Sequence, residues 1–304
     1  MLAANIDELS TDPINNIIKS ANICSKSISI KSQIREREKM SAYYTLLKRE
    51  QHADGGCTAY YRSNIHAQGA WNPHEQHTAP ATGILCAELE QFMPRDDMRI
   101  GRVSLDIFGL IAFGEFSITT RMIRPGKTIE LIEAEMCAEG KTCIVARAWK
   151  MKTSDTRAIA GLEDLPIENP EYLPDWDGMR CWPGGYIQSI ETRAHLDRRA
   201  GKGIVWLRNQ LEMLENQATS SFVRLMGMVD TANGVVPRLD PNEGWGFPNL
   251  DLQIHLHRLP QGEWLGLEVT QQYGEDGIGL TSGILHDTQG PFGRSEQILT
   301  LRQF

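Results

Sequence analysis

EFSITTRMIRPGKTIELIEAEMCAEGKTCIVARAWKMK, residues 115–152, reads as three strands joined by two tight turns. Strand candidates fall at 115–124, 127–137 and 141–152, where β-branched and apolar residues alternate with polar ones. Pro125-Gly126 and Glu139-Gly140 supply the turn chemistry between them. The segment predicts a meander of long antiparallel strands. A sheet with one apolar face must be covered, and the nearest cover is upstream. Residues 81–93 (ATGILCAELEQFM) place Ala81, Ile84, Leu85, Leu89 and Phe92 on one helical face. Cys86, Ala87 and Met93 widen that face, so the helix is expected to be largely enclosed. Earlier still, 42–49 and 57–62 carry Tyr and Thr at strand spacing.

The same order returns downstream. Strand candidates occur at 184–193 and 202–208, and a helix candidate at 219–232 with Phe222, Leu225, Met226 and Val229 on one face. Four strand candidates follow at 249–258, 263–272, 278–287 and 291–302. Matching Gly114-Glu115-Phe116 to Gly262-Glu263-Trp264 gives an offset of 148 residues, which indicates an internal duplication. Residues 41–155 and 178–304 are the expected repeats. Residues 156–177, rich in proline and acids, read as an exposed linker between them. Residues 1–40 lack aromatics and read as an N-terminal extension, or as sequence upstream of a natural start at Met40.

Composition narrows the function. The 304 residues carry 31 Lys and Arg against 39 Asp and Glu, a formal net charge of −8. That balance disfavours nucleic acid as a partner, since phosphate contacts need clustered cations. The longest clearly apolar stretch, Phe108 to Gly114, is far below the about 18 residues of a membrane span. No basic segment followed by an apolar one opens the chain, so no secretory signal is expected. The six cysteines are scattered without a Cys-x-x-Cys pair, which reads as reduced thiols and a cytoplasmic protein. No Gly-x-Ser-x-Gly elbow, dinucleotide fingerprint or Walker loop is present, so a Ser–His–Asp hydrolase and nucleotide-dependent chemistry are disfavoured. His255 and His257 share a strand face, and His66, His74, Glu75 and His77 lie close in sequence. The strand pair has no third ligand at a recognisable spacing and the second group lies in a loop, so no metal is expected.

A strand-rich half wrapped on one apolar helix, used twice, resembles the tandem, or double, hotdog fold of the α+β class. Three stretches resemble the acyl-CoA thioesterase II-like group in particular: MVDTANGVVPRLDP (228–241), NLDLQIHLHRLPQGEWLGLE (249–268) and GIGLTSGILHDTQGPFGRSEQ (277–297). The resemblance covers roughly 41–304. It implies hydrolysis of an acyl-CoA, or an acyl-carrier-protein thioester, to free acid and thiol. It implies no cofactor beyond the coenzyme A of the substrate, and it allows a homo-oligomer. It places a water-activating acid at Asp230 and a water-orienting amide at Gln297. It also expects a hydroxyl residue where this chain has Asn249, whose amide carbonyl can still accept a hydrogen bond from water. Backbone N–H groups near Pro80–Gly83 are the analogous donors to the carbonyl.

The first repeat lacks these groups. At the same offset Asp230, Asn249 and Gln297 correspond to Thr82, Gly101 and Trp149. The helix opens on His77-Thr78-Ala79-Pro80 where relatives carry glycines, and Gly109-Leu110 stands where relatives carry Arg-Pro. One site per chain is expected, with the first repeat shaping the acyl pocket. Two alternatives stand beside it: a non-catalytic acyl-binding protein, and a hotdog dehydratase or hydratase. The latter wants an Asp–His pair at a helix entry, which neither helix displays in sequence.

Overall fold

The computed structural model describes residues 42–239 and 243–303, so the expected extension over 1–40 lies outside the described residues. Two early strands, β1 (Ala42–Gln51) and β2 (Cys57–Ser63), precede the long helix α1 (Thr78–Gln91). Four strands follow: β3 (Met98–Ile107), β4 (Glu115–Arg124), β5 (Ile129–Ala138) and β6 (Lys141–Lys152). The chain then passes through short 3-10 turns to α2 (Gly185–Ser189), β7 (Ile190–Ala194), β8 (Lys202–Asn209) and the short β9 (Glu212–Leu214). Helices α3 (Ser221–Val229) and α4 (Ala232–Val235) come next, then β10 (Trp245–Gly246) and β11 (Asp251–Leu256). The chain ends on β12 (Trp264–Tyr273), β13 (Ile278–Asp287), β14 (Gly290–Thr300) and β15 (Arg302–Gln303).

Thirteen strands form one sheet in the order β7-β8-β12-β13-β14-β11-β3-β6-β5-β4-β2-β1-β9. Apart from β9, the order is the same pattern read from both ends. The repeats meet where β11 pairs antiparallel with β3, with Leu252 opposite Leu105 and Ile254 opposite Val103. All four side chains are fully buried, so the junction is part of the core. The fold is a tandem hotdog. Glu115, Ile129 and Lys141 open strands whose counterparts open at Trp264, Ile278 and Gly290, a constant offset of 149 residues, one more than the sequence match gave.

Three departures from the sequence reading have local causes. Strand β3 was not anticipated, because a bulge between Ile100 and Arg102 slips its alternation. Met98 and Ile100 are buried on one side of the extra residue, and Val103 and Leu105 on the other, so parity flips within one strand. The strand expected over 184–193 begins as α2, because Gly184 turns the chain at φ +103°. Helix α1 starts at Thr78 rather than 81. The His77 imidazole caps it by accepting the Ala79 N–H, and Pro80 sits in the first turn, where a missing N–H costs nothing.

The two long helices cross at glycines. A Cβ on Gly83 would lie 3.0 Å from the Gly227 Cα and 2.2 Å from the Met213 Cε, so a side chain there would have to displace Met213 and press on the backbone of α3. The crossing brings the N-terminus of α1 to the C-terminus of α3. Among the described residues no helix is long and apolar enough to cross a membrane.

Charged side chains inside the sheet are paired. Glu88 on α1 is 2% exposed and accepts two bonds from Arg49, at 2.6 and 2.7 Å, besides one from the Tyr61 hydroxyl. Arg258 grips Asp287 through both terminal nitrogens, at 2.5 and 2.7 Å, and also donates to Gly290 O and Pro291 O. The His-Arg and Asp-x-x-Gly-Pro segments that carry the family resemblance thus include a structural clamp on the β13–β14 hairpin.

Candidate active site

A cavity of about 560 Å³ opens beside the helix crossing. Its polar wall includes His77, Thr78, Asp230 and Asn249; Trp71, Trp182 and Phe247 give it an aromatic wall. The three rings pack on one another with centroids 5.2–5.9 Å apart. The segments that precede Trp71 and follow Trp182 approach each other closely through their backbones. A Cβ on Gly185 would sit 1.9 Å from the Ile65 carbonyl oxygen. Gly185→Ala is therefore expected to destabilise the protein by about 1–3 kcal/mol, read as a lowered thermal midpoint.

Asp230 caps the C-terminus of α3 and is 6% exposed. Its Oδ1 accepts two amide bonds, from Asn249 Nδ2 at 2.9 Å and from Gln297 Nε2 at 3.0 Å. The three residues singled out in the sequence, from a helix end, a loop and the strand β14, are thus brought together. Their places differ. Asn249 lines the cavity with Asp230, and its Nδ2 also donates to Asp251 O at 3.1 Å. Gln297 is 1% exposed and stands behind Asp230, also reaching the Asp230 backbone carbonyl at 3.3 Å. Its Nε2 thus holds the carboxylate, while its Oε1 has no hydrogen-bond partner among the described residues.

Both donors spend themselves on Oδ1, which leaves Oδ2 to the cavity side. Burial pushes the Asp230 carboxyl up to about 6, against the opposing pull of the Asn249 and Gln297 hydrogen bonds. It is a carboxyl poised to gain and lose a proton near neutrality.

The sequence reading missed His77, although it noted the altered helix opening. Its ring comes from the first repeat and lies with Nδ1 3.6 Å from Asp230 Oδ2. That is ion-pair range, yet the two are not an ion pair. Nδ1 already accepts the Ala79 N–H at 3.0 Å, and burial pushes the imidazole down to about 3. The signal available in the sequence was a histidine at the N-cap of a helix opening with Pro80. What could not be read was that this end meets the other repeat.

The equivalent meeting at the opposite helix ends is differently equipped. There Ser220 caps α3 and donates to Glu90 Oε2 at 2.8 Å, while the buried Lys150 ammonium donates to the Phe92 and Met93 carbonyls. At the structural offset the counterpart of Gln297 is Ala148, fully buried. Among the described residues no three His, Cys, Asp or Glu side chains form a set able to hold a metal.

Compared by sequence with curated proteins, the chain matches none. The model of the acyl-CoA thioesterase N-terminal domain matches residues 67–151, and that of the acyl-CoA thioesterase C-terminal domain matches 168–301. Solved structures share the fold. The acyl-CoA thioesterase II TesB2 of Mycobacterium marinum superimposes with a TM-score of 0.60 at 16% identity, covering 85% of this chain and 96% of that one. A hotdog-fold protein of unknown function from Alicyclobacillus acidocaldarius gives 0.64 at 11% identity, covering 84% and 96%. The tesB protein of Mycobacterium avium subs. paratuberculosis gives 0.61 at 10%, with 84% and 96% covered. With a tandem hotdog fold, and both domain models matched in order over most of its length, the chain belongs to the double-hotdog acyl-CoA thioesterases and is a thioester hydrolase.

Proposed function

We propose that this enzyme hydrolyses acyl-CoA by direct attack of a water molecule deprotonated by Asp230. The observation that carries the reading is the division of labour at the carboxylate. Two amides fix Oδ1, and Oδ2 is left toward the cavity. A water held by Asn249 Oδ1 and Asp230 Oδ2 loses its proton to Oδ2 as its oxygen bonds to the thioester carbon. The carbonyl π electrons move onto oxygen. The N-terminus of α1 offers that oxygen the Thr78 N–H, one of the helix's unpaired first donors, and the positive end of the helix dipole. When the C=O re-forms, the C–S bond breaks and the thiolate takes the proton back from Asp230. Gln297 acts through Asp230, keeping the carboxylate turned.

Two finer points come over from the sequence. An acyl-carrier-protein thioester suits the same chemistry, and the scattered cysteines support a cytoplasmic setting.

The test is incubation of the purified chain with a panel of acyl-CoAs while free thiol is followed. Release from at least one substrate is expected; none from any substrate in a folded, acyl-CoA-binding protein contradicts the reading. The base must be ionised, so kcat/KM should rise with pH through about 6 and then level off. A profile flat from pH 4 to 8 would remove Asp230 from the role.

One observation favours a second reaction on the same groups. A neutral imidazole 3.6 Å from a protonatable carboxyl matches, in residue types, the pair found in a hydratase or dehydratase. It escaped the sequence because its members come from different repeats. Loss of enoyl absorbance without thiol release would identify that reaction.

A further inference from the structure

We infer that His77 is a further catalytic residue, a neutral hydrogen-bond donor whose Nε2–H binds the thioester carbonyl oxygen. The inference rests on the hydrolytic reading above and adds a side-chain donor to the carbonyl oxygen beside the Thr78 N–H. Three features of the side chain carry it. First, the tautomer is set by the backbone. Nδ1 accepts the Ala79 N–H at 3.0 Å, so the ring's one proton sits on Nε2. Second, Nε2 has no hydrogen-bond partner in the protein among the described residues, while the ring lines the cavity with Asp230 and Thr78. A donor without a protein partner, on a ring that lines the cavity, has a ligand atom as its natural partner. Third, the ring cannot turn over freely. Its centroid is 4.3 Å from that of Tyr186, and the Tyr186 hydroxyl is tied to Thr231 Oγ1 at 2.6 Å, next to Asp230.

The alternatives are weaker on the same geometry. His77 is not a second base, because the lone pair of Nδ1 is already used by Ala79. Nor is it an imidazolium countercharge to Asp230, because burial and the helix N-terminus keep it neutral at any pH where Asp230 is ionised. A neutral imidazole at a helix N-terminus can polarise a carbonyl without giving up its proton. In the hydrolysis the Nε2–H bond stays intact. It strengthens its hydrogen bond as the carbonyl electrons move onto oxygen and relaxes when the C–S bond breaks.

His77→Asn separates this role from the structural one. Asn is among the best helix N-caps, so α1 keeps its start, but its shorter side chain presents nothing where Nε2 stood. Expected are a kcat lower by about 10²–10³, the usual cost of one oxyanion donor, and a KM within about threefold. The direct readout is infrared. An acyl-CoA analogue with a methylene in place of sulfur keeps the carbonyl and cannot be hydrolysed. Bound to the wild type, its C=O band should be shifted to lower frequency; in His77→Asn the shift should be lost. An unchanged kcat, or a fallen kcat with an unmoved band, overturns the inference. Asp230→Asn is the companion variant: it should lower kcat by about 10²–10⁴ and leave the band shifted. If kcat is unchanged, the reading of Asp230 fails, while the band still decides His77.

Discussion

Asp230→Asn should lower kcat for thiol release by about 10²–10⁴ and, in the same protein, raise stability at neutral pH. The amide keeps an acceptor for Asn249 and Gln297, so the geometry of the site survives while the base is lost. The stability change follows from the raised carboxyl. A group held at about 6 in the folded protein, against 3.8 as the ordinary value, binds its proton more tightly folded than unfolded. Folding is then penalised above pH 6, and the penalty disappears as pH falls below about 4. Two pH units correspond to about 3 kcal/mol, so the variant should gain about that much at pH 8 and almost nothing at pH 4. Denaturant unfolding at the two pH values, beside the thiol assay, checks both halves. A variant less stable at pH 8 would mean that the charge is better accommodated than its burial indicates.

Asn249→Asp is the second large effect. Its Nδ2 now stabilises Asp230 Oδ1 from 2.9 Å and Asp251 O from 3.1 Å. A carboxylate there removes both donations and sets two acids about 3 Å apart, which cannot both ionise. The pair will share a proton and titrate as a unit. At pH 7 kcat/KM should fall at least about tenfold, and the acid limb should move up by more than about one pH unit. The groups facing Asp230 are His77, Tyr186, Asn249 and Gln297; His77 stays neutral and burial pushes the Tyr186 hydroxyl well above that range, so the movement belongs to the carboxyl pair. A limb that stays near 6 would show that Asn249 does not touch the working carboxylate.

Much of the fold was legible where hydrophobic periodicity is local. Residues 115–124, 141–152 and 278–287 have the strand bounds that their alternation predicts, and the duplication is visible because it repeats that alternation. What escaped depends on long-range geometry. Strand β3 hid behind a parity flip at its bulge, and α2 behind a positive-φ glycine. The Gly83–Gly227 crossing cannot be read from either helix alone, yet it decides which residues meet. The site shows the same division. Asp230, Asn249 and Gln297 were found through motif resemblance, and they do converge. The hydrogen bond from Gln297 to the Asp230 carboxylate appears only in three dimensions. His77 was missed because its partner lies in the other repeat.

The central claim is that water, not Asp230, attacks the thioester. A single turnover in H₂¹⁸O, with enzyme in excess over acyl-CoA, tests it most directly. The product acid is predicted to carry one ¹⁸O per molecule, with Asp230 unlabelled. An unlabelled acid in the first turnover, with ¹⁸O then found in the Asp230 carboxylate, would mean a covalent anhydride and would contradict the account.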